Sequence, residues 1–213
     1  SVLLITKRHK SISDFLLLSL LLIIAFTIVV SYIEQYNQAH NYPYPFFIHV
    51  SVPFIFLHGP LLWFYIKSFT TPKFKLRAKY LLHFIPFALA MVLLSMTTYD
   101  LPVHEKIAQM QTEEFKNSPS YLIVVLGIAV FTQGYFIWGL VLIRNYRRNI
   151  KNYFSQISHI DLSWWRFILL SAIVAYAINS GLYLFDYLLD LFNYKVMQLS
   201  SFIIGSLYIL FLG

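Results

Sequence analysis

Residues 56–69 read FLHGPLLWFYIKSF. A histidine, a glycine and a proline sit inside an apolar run that ends in lysine. Proline costs about 3 kcal/mol in a helix interior, and an ionisable group inside a membrane is rare unless it has a role or a partner. The neighbouring sequence decides which solvent this run is built for.

Of the 213 residues, 59% are hydrophobic, 19% aromatic and 12% charged, and the mean hydropathy is +0.66. A soluble domain carries about 25% charged residues. Here the charges cluster between long apolar tracts, and such tracts of about 18 or more residues read as membrane-spanning helices. The tracts run 13–33, 48–69, 80–98, 120–143, 163–188 and 196–213. The expected fold is an all-α polytopic bundle of six full spans. The stub SVLLIT, 1–6, reads as the last turns of a seventh, N-terminal helix. Both ends look cut, so residues 1–213 are expected to be one transmembrane domain of a longer chain. No signal peptide is visible. The absence of cysteine excludes disulfides and thiolate metal sites.

Thirteen of the sixteen Lys and Arg lie on one side of the spans, in KRHK, the 67–79 loop and RNYRRNIK, with Arg166; the other side has Lys106, Lys116 and Lys195. Lysine and arginine accumulate on the cytoplasmic side. The expected location is the inner cell membrane, multi-pass, with the C-terminal end cytoplasmic. Topology and anionic lipid account for the +7 charge, so the bilayer is the expected partner and direct nucleic-acid binding through this segment is not. Arg144, Arg147, Arg148 and Lys151 suit either lipid headgroups or an adjoining domain. Tyr32, Trp63, Tyr121, Trp164 and Trp165 suit interfacial aromatic belts.

Within the opening run, Pro60 has no N–H for the carbonyl of Phe56, and Gly59 allows bending and close approach of another helix. Pro53 is expected to act likewise near the outer end, and Pro86 to free the carbonyl of Leu82. These positions, with His58 and His83, read either as a shaped packing joint or as a hinge and pocket wall. His58 and His83 differ in depth by roughly 9 Å at 1.5 Å per residue, and on one helix His49 and His58 would face opposite ways. No HExxH spacing occurs. No metal site and no cofactor are assigned.

A polar stripe runs along the 163–190 helix. Asn179, Tyr183, Asp186 and Asp190 share an arc of about 60° and extend from mid-bilayer to the outer surface. Thr27, Ser31, Glu34 and Gln38 do the same in the first span, and Gln198, Ser201, Gly205 and Tyr208 in the last; Gln133 lies near mid-span. Carboxylates and amides at depth must face protein or water. The stripes read either as an outward-open, acidic, tyrosine-rich cavity for a small polar or cationic ligand, or as interhelical hydrogen bonding. Glu105, Glu113 and Glu114 read as solvated charge on a surface helix around 103–117. No GxSxG and no paired carboxylates near a histidine occur on the basic side, so no enzyme activity is expected.

Three blocks carry a family resemblance: GPLLWFYIKS at 59–68, LLHFIPF at 81–87 and FSQISHIDLSWWR at 154–166. In this order the chain resembles the N-terminal membrane region of membrane-bound bacterial AraC-type transcriptional regulators. The resemblance implies about seven helices, a cytoplasmic helix-turn-helix DNA-binding domain after Gly213, and a sensory or anchoring role for this segment. It supplies no ligand. Similar membrane regions front sensor histidine kinases, and a small transporter is the other alternative, although no inverted repeat is evident. A homodimer is compatible with the sequence.

Overall fold

The computed structural model describes residues 11–151 and 162–212. The stub 1–6, KRHK and most of the 154–166 block therefore lie outside the described residues. Helix α1 spans Ile12–Ala39 and α2 Ser51–Thr70. A 3-10 stretch, Ala78–Phe84, leads into α3, Ile85–Leu94, which ends in a π turn at Ser95–Tyr99. The short α4 is Val103–Thr112. Helix α5, Pro119–Gly127, continues through a second π turn, Ile128–Thr132, into α6, Gln133–Lys151. Helices α7, Ser163–Leu189, and α8, Tyr194–Leu212, complete the fold. No strand occurs among the described residues.

Five helical rods are long and apolar enough to cross a bilayer: Ile12–Ala39, Ser51–Thr70, Ala78–Tyr99, Pro119–Asn149 and Trp164–Leu189. The sixth apolar tract forms α8, which is not among those five. Residues facing away from the bundle are largely apolar. On α1, Phe15, Leu22 and Val29 are exposed one heptad apart, while Leu16, Leu20, Thr27, Val30, Glu34 and Asn37 are buried on the opposite face. Ser11 and Asp14 form a capping box that fixes where α1 begins, each side chain accepting the other's backbone N–H at 3.2 and 2.7 Å.

The run containing HGP is the centre of the bundle. In α2, 61% of the apolar window is buried, against 28% or less in the other four rods. The helix runs unbroken through Pro60. Small residues let α6 close upon it. A Cβ at Gly59 would lie 2.9 Å from Tyr135 Cβ and 3.2 Å from Thr132 Cα, and one at Gly139 would lie 3.0 Å from Ile66 Cδ1. Leu57, Leu61, Leu62 and Ile66 of α2 pack with Leu20, Phe136, Ile143 and Leu169.

The other two prolines do not interrupt helices. Pro53 is the third residue of α2, where the first-turn N–H has no intrahelical partner in any case. The His49 carbonyl accepts instead from Val52 N–H at 3.2 Å and from the Tyr99 hydroxyl at 3.0 Å. Pro86 follows the 3-10 stretch as the second residue of α3, and the Leu82 carbonyl accepts from Ile85 N–H. Trp63 is not part of an aromatic belt. It is 1% exposed, buried among Phe64, Tyr80, His83 and Trp138. Tyr32 and Trp164 are exposed.

The two ends of the bundle differ in charge. Seven of the nine carboxylates share one end with the three isolated lysines, opposite the basic residues of 67–79 and 144–148. We call these the carboxylate end and the basic end.

Candidate functional site

At the carboxylate end, Glu34 is 6% exposed and joins three helices. Its Oε1 accepts from Ser51 N–H at 3.3 Å and Ser51 Oγ–H at 3.0 Å. Its Oε2 accepts from Gln198 Nε2 at 2.7 Å, and Gln198 Oε1 accepts in turn from Gln38. The polar residues of α1 and α8 thus meet through one carboxylate, with the start of α2 supplying the other donors.

Deeper in the bundle, His58 links α1, α2 and α7. Thr27 donates its own proton to the Ile24 carbonyl at 2.8 Å. It can therefore only accept from His58 Nε2, 3.3 Å away, which leaves Nδ1 to accept from the Tyr176 hydroxyl at 2.5 Å. A neutral imidazole with its proton on Nε2 satisfies both contacts. The Tyr176 carbonyl accepts from Ser180, which accepts from Gln133 Nε2 at 3.3 Å. One turn further along α7, Ser201 Oγ lies 2.8 Å from Asn179 Oδ1 and 3.1 Å from the Tyr183 hydroxyl.

These groups surround a cavity of about 790 Å³. Its walls come from α1, α2, α3, α5, α7 and α8, and Glu34, His58, Tyr176, Asn179, Tyr183 and Ser201 are among its polar residues. Both π turns border it, through Thr97, Thr98 and Ile128. Such wide turns recur at functional positions because they re-aim side chains within a helix. Ligand sites typically hold about 300–1,000 Å³ and combine mostly apolar walls with a few fixed polar groups.

Of the six pocket candidates, Glu34, Asn179 and Tyr183 line the cavity; Gln133, Asp186 and Asp190 do not. Asp186 and Asp190 instead clasp Lys116. Its Nζ lies 3.0 Å from Asp186 Oδ2, 3.1 Å from Asp190 Oδ1, 3.1 Å from Glu113 Oε2 and 2.9 Å from the Phe192 carbonyl. Lys116 and Asp186 are buried, at 5% and 1% exposure. Burial opposes the lysine charge, but hydrogen bonds to Asp186, Glu113 and Asp190 and the charge on Asp186 outweigh it, so the pKa is raised above 10.5. Asp186 Oδ1 also accepts from Phe192 N–H at 2.7 Å, and Glu113 accepts from Tyr194 N–H at 3.0 Å. Glu113 is thus not a solvated charge, but part of the network joining the α4 segment to the α7–α8 corner. Glu113 and Asp190 both take left-handed backbone, at φ 57° and 46°. This costs a non-glycine residue roughly 1–2 kcal/mol, offset here by the contacts their side chains make.

The histidines are likewise rearranged. His49 precedes α2 at φ 60°, so the helical geometry that would point it away from His58 does not apply. Both line the cavity. His83 belongs to the aromatic cluster at the basic end, 2.6 Å from the Tyr135 hydroxyl. No group of three or more metal-ligating side chains occurs among the described residues.

Sequence reading misses Lys116, Ser51 and Tyr176. Lys116 was within reach: two carboxylates at i and i+4 on an apolar helix need a cation, and only three lysines share that end. Ser51 and Tyr176 carry no such signal, because a donor's usefulness depends on the helix it meets. No family model, no curated protein and no solved structure matches the chain.

Proposed function

We propose that this chain is the membrane-embedded sensory and anchoring region of an AraC-type helix-turn-helix regulator, binding a small ligand from outside the cell. In this reading α8 is the sixth span, the carboxylate end faces outward and the chain continues into a cytoplasmic DNA-binding domain. The supporting observation is the cavity at the carboxylate end, which is bordered by α8 at Gln198 and Ser201. A ligand seated there changes the balance between arrangements of α8 relative to α1 and α7 only as far as it binds them unequally. In this reading α8 carries that bias to the DNA-binding domain. The uneven lysine and arginine distribution supports the orientation, and the three sequence blocks support the family.

The test is a thermal-stability screen of the purified chain in nanodiscs against a collection of small polar and cationic molecules. At least one should stabilise the wild type and lose its effect in Glu34→Gln and Asn179→Leu. A collection whose every effect survives both substitutions refutes the reading. The same cavity and its two π turns favour a small transporter as second reading, for which solute flux into liposomes is the discriminating measurement.

A further inference from the structure

Accepting the cavity as a ligand site, we infer that its ligand is a cationic amphiphile, with an ammonium group against Glu34 and a hydrocarbon body along the inner cavity.

The head position follows from a contrast between two buried carboxylates. Asp186 has its cation in Lys116. Glu34 has three neutral donors and no ion pair among the described residues. A buried carboxylate without a counter-charge is costly, and Ser51 and Gln198 hold this one in place while leaving an acceptor site on Oε2. The surrounding wall is aromatic. Phe115, Tyr121, Tyr183 and Tyr194 border the same end, and ring faces attract a cation within about 6 Å. Tyr121, on the same wall, has a buried hydroxyl without a hydrogen-bond partner among the described residues.

The tail position follows from what the inner cavity lacks. From Glu34 to Leu21, both on the wall, α1 rises roughly 20 Å at 1.5 Å per residue. Ile24, Ile55, Val124, Ile128, Phe202 and Ile204 line this length. Several polar groups along it are already engaged by the protein: Thr27 bonds to the Ile24 carbonyl, His58 to Tyr176 and Ser201 to Asn179 Oδ1. The rest of this length is mainly apolar wall. A Cβ at Gly205 would meet nothing within 4 Å, so there is room beside the tail. Acidic head site and apolar shaft together select an amphiphile over a compact polar amine. The ammonium can come from a soluble alkylamine or from an aminophospholipid of the bilayer.

The probes are decylamine, decanol and decanoate, titrated onto the chain in nanodiscs of phosphatidylglycerol alone, with binding read by native mass spectrometry. Decylamine should bind at least about tenfold more tightly than the other two, as a charge-assisted hydrogen bond predicts. Glu34→Gln should remove that preference. Gly205→Phe, which fills the shaft and leaves Glu34 intact, should abolish binding of all three and keeps the test valid if Glu34→Gln does not fold. Equal affinity for the three probes, all blocked by Gly205→Phe, overturns the ammonium assignment and leaves the cavity a ligand site. Decylamine binding untouched by either substitution overturns both. Phosphatidylethanolamine retained from cells at one per chain and displaced by decylamine supports the inference and makes the bilayer the source. Phosphatidylglycerol held there instead overturns it.

Discussion

Replacing Lys116 by methionine should be among the most damaging single changes at the carboxylate end. Methionine keeps the length and apolar stem but withdraws the ammonium from four acceptors at 2.9–3.1 Å. Asp190 loses little, because its side chain is 83% exposed and water replaces the contact. Asp186 has no such recourse: its side chain is 0% exposed and keeps only the Phe192 N–H on Oδ1. Removing one partner of a buried pair costs about 3–5 kcal/mol, because the other charge stays buried alone. Exposed pairs contribute about 0–1 kcal/mol, so Asp190→Asn should be nearly silent. At about 2–4 °C per kcal/mol for a chain of this size, Lys116→Met should lower the apparent Tm in nanodiscs by roughly 6–20 °C, at one fixed scan rate. Adding Asp186→Asn should recover a large part of the loss. The pH dependence has a definite sign. The folded pKa of Lys116 is raised above 10.5, so the lysine's contribution is fully present below that value and is lost as pH rises through the folded pKa. A Lys116→Met protein within 2 °C of wild type, or an Asp190→Asn protein equally damaged, would refute the reasoning.

Gly59→Ala should destabilise the fold by about 1–3 kcal/mol through overpacking against α6, since its Cβ would sit 2.9 Å from Tyr135 Cβ; Gly134→Ala, whose Cβ meets nothing within 4 Å, should be neutral or gain up to about 1 kcal/mol. Paired thermal denaturation of the two variants checks the difference. Leu22→Asp on the exposed face of α1 should impair membrane insertion, at about 2.5–3.5 kcal/mol for an acidic residue near a span centre, as read by the fraction of chain in the membrane pellet. Because the chain has no cysteine, single cysteines report topology directly: Lys106→Cys should react with an impermeant maleimide on intact cells, and Lys75→Cys only after permeabilisation.

What the sequence discloses here tracks the physics of its solvent. A helix crossing lipid must be long, apolar and internally hydrogen-bonded, and those demands are written in consecutive residues. Five of the six expected tracts reappear as helical rods long and apolar enough to cross a bilayer, shifted by only a few positions, except that the first runs on to Ala39 and the fourth to Asn149. The same local logic singles out Glu34, Asn179 and Tyr183, which line the cavity, since polar side chains at helical spacing in an apolar rod stand out in any register. It anticipates close helix approach at Gly59, but it cannot name the partner that a second element brings to each acid. Asp186 and Glu34 have equivalent sequence signatures, an acid on the inner face of a span near the same end. One is half of an ion pair, and the other a carboxylate with neutral donors, because Lys116 reaches Asp186 on α7 and, among the described residues, no lysine reaches Glu34 on α1. Pro53 and Pro60 are likewise one residue type in one helix, yet Pro53 falls in the first turn and leaves no intrahelical bond to lose. The difference between a salt-bridged corner and an unneutralised cavity is therefore a property of where a loop lands, and the Lys116 and Glu34 substitutions probe that difference from its two sides.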